Sequence, residues 1–239
     1  MWLVLTEDGD PLGPWIADGL TARGLELVHH LTTTDLISAT TWAHTVTDHG
    51  AGFTARTRNG IELRSEKIAG VVNRIGFIAP SHTAELVEDD REYALHELNA
   101  FFMSWLHALE APVLNPPSAR GLAGAWRPAS EWVCLAQQAG LAHRVVTSAE
   151  PEAAPFTQTP DRTAFVVGGE IVDDGVEEET RQACLRLSEL SETPLLGIEF
   201  RMDDGSRPVF TGASPQPPIQ IAGDAMLEAL AYVLEREAA

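Results

Sequence analysis

The first thirty residues constrain the fold most strongly, because they alternate between strand and helix patterns. Residues 2–6 form a short apolar run, residues 12–23 place apolar side chains at helical spacing before Gly24, and residues 25–29 form a second apolar run. A β-α-β order favours parallel strands, since the crossover helix returns the chain to the same edge of the sheet. We therefore expect an α/β chain that opens with a parallel sheet.

The next segment has a different pattern. Residues 40–47, 53–58 and 61–67 alternate between polar and apolar side chains, and Asn59-Gly60 joins the last two runs. Asn-Gly between such runs is a strong signal for a two-residue hairpin. This segment is expected to insert a β-hairpin at about 40–67, after which residues 68–74 read as a buried strand.

The remaining patterns divide the chain in two. Helices are predicted at 84–109, 128–140, 177–191 and 224–236, strands at 112–114 and 141–147, and hairpins at 163–172 and 195–211. Residues 149–162 hold three prolines and little periodicity, which is typical of a linker. We expect an α/β domain over residues 1–148, a linker at 149–162 and an α+β part over residues 163–239.

Composition excludes several classes of protein. The chain has 16 basic and 35 acidic residues, a net charge of −19, which disfavours binding to nucleic acids or anionic membranes. No apolar run reaches about 18 residues, so neither a membrane span nor a secretory signal is predicted. Two cysteines form no disulfide framework. A reduced, cytoplasmic, acidic protein is the expectation.

An ordered set of short patterns runs through both halves. In the first half a strand ends in an arginine, a long helix carries aromatic residues, and a short strand ends in Asn-Pro. These are Val71-Val72-Asn73-Arg74, then Glu97, Phe101-Phe102 and Trp105-Leu106, then Val113-Leu114-Asn115-Pro116. In the second half two hairpins follow, at Phe165-Val166-Val167-Gly168-Gly169-Glu170-Ile171 and at Leu196-Gly197-Ile198-Glu199-Phe200 with Asp204-Gly205 and Val209-Phe210.

In this order the patterns resemble the ATP-grasp superfamily, and most of all the peptide-modifying branch that makes macrocyclic ester and amide links. The resemblance covers most of the chain except about residues 30–68. It implies a pre-ATP-grasp-like parallel sheet packed with the C-terminal α+β half of an ATP-grasp-like domain. It also implies ancestry shared with ATP- and magnesium-dependent ligases.

The chain departs from that family where the nucleotide is held. Family members close a small α+β module over ATP, but here the matched halves are separated by the short linker, so the clamp module is expected to be missing. Two lysines usually face the phosphates, whereas this chain has Lys67 as its single lysine and Trp126-Arg127 at one lysine position. Trp126 is therefore predicted to fill the empty nucleotide cleft; the alternative is a loop anchor.

The hairpin that carries the metal in the family is altered as well. The family pattern ends in a carboxylate, a spacer, an asparagine and a proline, and here Gly212 and Ser214 replace the carboxylate and the amide. Glu199 keeps a carboxylate. One carboxylate and a serine make a poor magnesium site. No cofactor is therefore predicted, with ATP and magnesium, or a transition metal, as the alternatives.

Five residues are candidates for ligand binding. Arg74 stands at the carboxyl end of a strand, where ligands bind in α/β sheets, and could clamp a carboxylate; the alternative is an ion pair with Glu97 or another acid. Asn115 ends the next strand and could bind a ligand or cap a turn. Glu199, Arg201 and Asp203 alternate on one strand face, which could line the same crevice or face solvent.

Histidines suggest a weaker alternative. Glu88, Glu92 and His96 follow helical spacing and could ligate a metal with a partner element, although the same spacing is common on solvated helix faces. His29 and His30 follow a predicted strand and could act as an acid or base.

The sequence thus points to a degenerate ATP-grasp-like protein that does not bind ATP and acts as a binding or accessory component in peptide or small-molecule biosynthesis. Its expected partners are a carboxylate-bearing small molecule or peptide, or a biosynthetic enzyme, and a homodimer is an option. The alternative is an enzyme, either a reduced ATP-dependent carboxylate–amine ligase or a metal-dependent activity on the same fold.

Overall fold

A computed structural model describes residues 1–48, 50–143, 159–172, 175–205 and 207–238. The chain forms two compact units, one over Met1–Gly124 with the end of the chain from Leu230, and one over Ala125–Ala229. In chain order the elements are β1 (Trp2–Thr6), α1 (Leu12–Ala22), β2 (Val28–Thr32), α2 (Thr33–Ile37), β3 (Thr41–Thr47), β4 (Gly50–Arg56), β5 (Glu62–Arg64), β6 (Gly70–Arg74), α3 (Glu88–His107), β7 (Val113–Leu114), α4 (Ala129–Ala139), β8 (Arg162–Val167), β9 (Glu170–Val172), α5 (Glu178–Ser191), β10 (Leu195–Met202), β11 (Pro208–Ser214) and α6 (Gly223–Ala238).

The first unit is built on a parallel sheet, as the β-α-β opening predicts. Its strand order is β2-β1-β6-β7, and every neighbouring pair is parallel. All five residues of β6 are buried, as expected for a strand inside a sheet that is covered on both faces.

The second strand begins three residues later than predicted. After α1 the chain turns through Gly24 and Leu27, which have positive φ angles of 96° and 57°. Leu25, assigned by its apolar side chain to the strand, instead donates its N–H to Leu20 and closes the end of α1. The apolar run at 25–29 was therefore partly a helix-capping turn.

The predicted insertion is a three-stranded antiparallel sheet, β3-β4-β5. β3 pairs with β4 in unbroken register from Thr41–Arg56 to Thr47–Gly50. The Asn59-Gly60 turn is longer than the predicted two-residue hairpin, because pairing between β4 and β5 starts at Arg56–Glu62. Thr57 donates its N–H to Ile61 across this five-residue loop.

The inner face of this sheet packs on α3. Trp42 lies against Phe101 with ring centroids 3.9 Å apart, and Phe53 stacks on Trp105 at 4.2 Å. Phe102 and Trp105 are fully buried in the same core. The insertion is therefore an integral part of the first unit's hydrophobic core.

The second unit contains the antiparallel sheet β11-β10-β8-β9. Gly168 and Gly169 have φ angles of 52° and 83° and form the predicted turn between β8 and β9. α4 follows Pro128 and ends at left-handed Gly140, as its Pro and Gly predict. β11 runs three residues beyond its predicted end at 211.

The predicted domain boundary needs one correction. α4 was assigned to the first domain, but it packs against α5 and β11 and belongs to the second unit. Its core is shared with α5 through Trp132, Ala136 and Leu187. Most of the predicted strand at 141–147 and of the linker at 149–162 lies outside the described residues. His143 does pair with Phe210 of β11.

Among the helices that the structure describes, none combines the length and the apolar character needed to cross a membrane.

Candidate functional site

The carboxyl end of the parallel sheet gathers polar side chains in the first unit. Arg74, at the end of β6, is 6 % exposed, and its Nε donates to Oδ2 of Asp10 at 2.9 Å. The other oxygen of Asp10 accepts the N–H of Leu12 at 2.9 Å, in the first turn of α1. The ion pair therefore holds the Arg74 guanidinium to the start of a helix. Asp10 is thus the other acid of the ion-pair alternative.

Asp8 forms a second polar contact at this edge. Its carboxylate accepts hydrogen bonds from the N–H and the hydroxyl of Thr34, at 3.1 and 2.9 Å, and lies 3.1 Å from Nε2 of His82. Burial by itself raises the pKa of Asp8. The hydrogen bonds from Thr34, with Thr32 and the His82 charge, lower it by more, so the pKa lies below its ordinary value. Asp8 is therefore an anion at neutral pH.

His30 is the third polar group, in the middle of β2. Its Nε2 lies 2.8 Å from the Thr6 hydroxyl, and its ring covers Gly13 so closely that an added Cβ would lie 2.1 Å from Nε2. Burial lowers the pKa of His30, although Asp35 and Asp10 oppose that shift. A neutral imidazole at physiological pH follows, held between β1 and α1.

Two asparagines complete this edge. Asn73 is fully buried and donates from Nδ2 to the carbonyls of Asn115 and Leu122, at 2.9 and 2.6 Å. Asn115 is also buried and adopts a left-handed backbone with a φ of 60°, which asparagine tolerates better than most residues. Asn115 therefore occupies a turn, which was the alternative to ligand binding. Ligand binding by Asn115 stays a prediction.

Several residues at this edge were not singled out from the sequence. Glu7 accepts the N–H of Gly76 at 3.0 Å, while Asp8 and Asp10 hold His82 and Arg74. The signal was available, because three acids follow β1 within four residues and the carboxyl ends of parallel strands meet at one edge. Which acid meets Arg74 depends on the turn into α1, which sequence patterns do not define.

The β10–β11 hairpin places Glu199 in the second unit. Glu199 is half-buried and lies opposite Gly212 on β11 and Thr163 on β8. The register shifts between Glu199 and Phe200, a bulge that bends the strand beside the carboxyl group. Burial raises the pKa of Glu199.

The two other hairpin candidates have local partners. Arg201 lies 3.9 Å from Asp161, and both side chains are about half exposed. Oδ1 of Asp203 accepts the N–H groups of Gly205 and Arg207 at 2.9 and 2.8 Å, and these turn hydrogen bonds, the one from Arg207 first, lower the pKa of Asp203. Asp203 thus shapes the turn between β10 and β11. Ligand binding by either residue stays a prediction.

The loop before α4 carries the residues that stand at one lysine position of the resemblance. Trp126 is 67 % exposed within the structure described. Arg127 forms an ion pair with Glu131 and donates to the Ser191 carbonyl at 3.1 Å. Its guanidinium therefore ties the loop to α4 and α5. The role of Trp126 as a plug of the nucleotide cleft stays a prediction.

The metal alternative on α3 finds no support. Glu88, Glu92 and His96 are each one turn apart, so the outer two lie about 12 Å apart along the helix, too far to share one ion. Across residues 1–48, 50–143 and the described ranges that follow, no three His, Cys, Asp or Glu side chains could hold a metal. A surface cavity of about 470 Å³ reaches Glu92, but it is lined mainly by apolar atoms beside Pro80 and Leu95.

Magnesium with a nucleotide fits the hairpin of the second unit poorly. Mg²⁺ requires several hard oxygen ligands in near-octahedral geometry. Across the strand pair, Glu199 faces a glycine, and the hydroxyl of Ser214 accepts the N–H of Gln216 at 3.1 Å. One carboxylate and one engaged hydroxyl do not form the required set.

Comparisons with known proteins identify the fold. No protein-family model matches the sequence, and no curated protein matches it either. Among solved structures, a RiPP-associated ATP-grasp ligase from Chryseobacterium gregarium, in complex with ADP and a leader and core peptide, aligns with a TM-score of 0.75 at 13 % identity, over 98 % of this chain and 96 % of that one.

Two further ligases align over nearly their whole length. The macrocyclase MdnC from Microcystis aeruginosa MRC, bound with the precursor peptide MdnA, has a TM-score of 0.72 at 14 % identity, over 98 % of this chain and 99 % of that one. The ATP-grasp ligase PsnB, complexed with a phosphomimetic variant of a minimal precursor, Mg and ADP, has a TM-score of 0.72 at 13 % identity, over 100 % and 98 %. Although identity is low, the alignments extend over nearly all of both chains, and this chain has the fold of the peptide-modifying ATP-grasp ligases.

Proposed function

We propose that this protein binds a peptide as an accessory component of peptide biosynthesis and does not bind ATP. The observation that carries the proposal is the pairing of Glu199 with Gly212 in the β10–β11 hairpin. The resemblance implies a second carboxylate at position 212 and an amide at 214, which together hold magnesium against the nucleotide. Without them the hairpin lacks the negatively charged and neutral oxygen ligands that would hold Mg²⁺ against a phosphate.

The distribution of cations supports the same proposal. Lys67 is the single lysine of the chain and lies in a short turn after β5, where its carbonyl accepts the N-terminal ammonium at 2.7 Å. Arg127, at one lysine position of the resemblance, is occupied by Glu131 and Ser191. At both positions the cationic residue makes contacts within the protein, which favours a chain that has lost the lysines that would contact nucleotide phosphates.

The peptide part of the proposal rests on the fold. The solved ligases with this fold are described in complexes with leader, core or precursor peptides. A peptide carries the carboxylate that is expected of the ligand. Arg74 is the predicted carboxylate contact, and its place in the Asp10 ion pair makes it rigid.

A thermal-shift experiment tests the proposal. Wild type and Glu199→Gln are heated with and without magnesium and ATP at about 5 mM, a concentration that reveals dissociation constants up to about 1 mM. We expect no nucleotide-dependent shift in either protein. A stabilisation of the wild type that Glu199→Gln abolishes would establish a metal–nucleotide site and contradict the proposal.

The second candidate is a reduced ATP-dependent ligase. The half-buried Glu199 carboxyl favours this candidate. Burial raises its pKa, and carboxyl groups with shifted pKa values cluster at functional sites. Release of phosphate from ATP in the presence of peptide carboxylates would support this candidate. A cytoplasmic location and a homodimer stay predictions under either reading.

A further inference from the structure

The outer edge of β3 is an open strand edge. β3 pairs with β4 through seven consecutive residue pairs, and within the described residues no strand lies on its other side. In an antiparallel ladder every second residue directs its N–H and C=O away from its partner. About half of the β3 residues therefore present backbone hydrogen-bonding groups outward.

This edge lacks the features that usually protect such strands. Natural edge strands are kept from pairing with other chains by charged residues, proline, bulges or short length. Residues 41–47 contain no proline, lysine, arginine, aspartate or glutamate, and their register with β4 has no bulge. Of the other edge strands, β5, β7 and β9 have only two or three residues, β2 has five, and β11 begins with Pro208 and has a register shift against β10.

The segment around β3 also differs in charge from the rest of the chain. Residues 40–67 contain four basic and three acidic residues, a net charge of +1, although the whole chain carries −19. Both Arg56 and Arg64 lie on the outward face, and Arg56 is directly opposite Thr41. Glu62 lies on the same face, so the strands of this sheet carry a net charge of +1 on an otherwise anionic protein.

Cations and apolar surface occupy opposite ends of β3. At the Thr41 end, the Arg56 side chain is more than half exposed and forms an exposed, weak ion pair with Glu62 at 3.6 Å, and the Nε of Arg58 donates to the Ser38 carbonyl at 3.0 Å. Near the other end, the side chain of Val46 is 69 % exposed. An occupant would meet positive charge beside Thr41 and an apolar contact beside Val46.

We propose that an acidic peptide segment binds in extended conformation along the outer edge of β3 and adds a fourth strand to the β3-β4-β5 sheet. Backbone hydrogen bonds supply the binding, and Arg56 and Arg58 select glutamate or aspartate side chains. This inference rests on the proposed peptide-binding function and names the surface and the chemistry of its ligand.

A second copy of the chain fits the edge less well. Two copies would bring together the same cationic sheets, and each protein carries a net charge of −19. Pairing of β3 with β3 would leave the arginines without acidic partners from the other copy. The charge pattern therefore favours a short acidic segment over self-association.

Fluorescence anisotropy with a labelled synthetic probe tests this assignment. The probe is a blocked peptide, Thr-Glu-Val-Glu-Val-Glu-Thr, and its matched controls carry lysine for glutamate or N-methyl groups on alternate backbone nitrogens. The assay contains no nucleotide, so it is independent of the ATP experiment. We expect the acidic probe to bind and both control peptides to bind at least about tenfold more weakly.

Protein variants locate the probe. Val46→Lys places a charge on the edge and is expected to weaken binding about tenfold or more, whereas Val87→Lys, at a residue 71 % exposed outside the sheet, should change nothing. Arg56→Ala should weaken binding and the exposed Arg207→Ala should not. Circular dichroism confirms that each variant is folded.

Three results would overturn the assignment. Equal binding by Val46→Lys and Val87→Lys would place the peptide elsewhere while leaving peptide binding itself intact. Equal binding of the N-methylated probe would exclude strand addition. If sedimentation shows that the wild type is a dimer and that Val46→Lys is a monomer, the occupant of the β3 edge is a second copy of the chain.

Discussion

At the scale of single residues, the polar edge of the parallel sheet shows what the sequence can and cannot determine. That Arg74 ends a buried strand follows from the apolar run before it, and the structure confirms this position. Its partner Asp10 lies 64 positions away and is brought there by the turn into α1. Neither the partner nor the His30–Thr6 contact leaves a local pattern in the sequence.

The Arg74–Asp10 ion pair gives the first prediction. Arg74→Met should destabilise the protein by about 3 kcal/mol, because it leaves a largely buried carboxylate without its counter-charge. Adding Asp10→Asn should recover part of that loss, since it removes the unpaired charge but keeps an acceptor for Leu12. Urea denaturation measures both.

Arg201→Met is the matched control for this pair. Its ion pair with Asp161 is 3.9 Å long and exposed, so its loss should cost about 0–1 kcal/mol. Equal costs for the two arginines would contradict a structural role for the buried pair.

Gly13 gives the second prediction. Alanine normally stabilises a helix relative to glycine by about 0.5–1 kcal/mol, but a Cβ at Gly13 would displace the His30 ring and leave the buried Thr6 hydroxyl unpaired. Gly13→Ala is therefore expected to destabilise the protein by about 1 kcal/mol. In a His30→Ala background the same change should be neutral or stabilising, and a double-mutant cycle measures the coupling.

Glu199 gives a prediction about pH. Its pKa is raised by burial, so ionisation disfavours the folded state; this cost appears as the pH rises above the unfolded pKa of about 4.3 and reaches its full value above the folded pKa. Glu199→Gln should raise the Tm at pH 7 by about 1–2 °C, a modest gain because the group is half exposed, and should have no effect near pH 3.

Glu235→Gln on the exposed side of α6 is the control for that measurement and should leave the Tm unchanged at both pH values. A Tm gain that persists at pH 3 would show that removal of the Glu199 charge is not the cause.

At the scale of secondary-structure elements, sequence patterns succeeded where local chemistry and the fold agree. Pro128 and Gly140 bound α4 as predicted, and the Gly168-Gly169 turn joins β8 to β9. They failed at Leu25, where an apolar residue predicted to lie in a strand belongs to a turn. They also failed at residues 57–61, which form a five-residue loop and not a two-residue Asn59-Gly60 turn. In both cases a hydrogen bond beyond the local pattern decides the boundary.

The end of α5 gives the prediction for this scale. Glu192 caps the helix in the left-handed conformation, with a φ of 52°, which glycine adopts without strain. Glu192→Gly should therefore stabilise the protein by about 0.5–1 kcal/mol. The same substitution at Glu235, inside α6, should destabilise it by a similar amount. Thermal unfolding compares the two, and a shared sign would contradict the capping argument.

At the scale of the whole molecule, the fold and the chemistry point in different directions. The chain has the fold of ligases described with ADP and magnesium, yet its hairpin sets Glu199 against glycine and its basic residues are almost all arginine. The fold could be expected from the order of strands and helices. The acids that hold Arg74 and His82, and the open edge of β3, required the structure.

A calorimetric titration of ATP and ADP, with magnesium, into the purified protein measures directly whether this fold still binds nucleotide. We expect no heat of binding at nucleotide concentrations of about 1 mM, because the described hairpin lacks the second carboxylate that would hold the metal. Saturable binding at micromolar nucleotide would contradict this expectation and establish a nucleotide site.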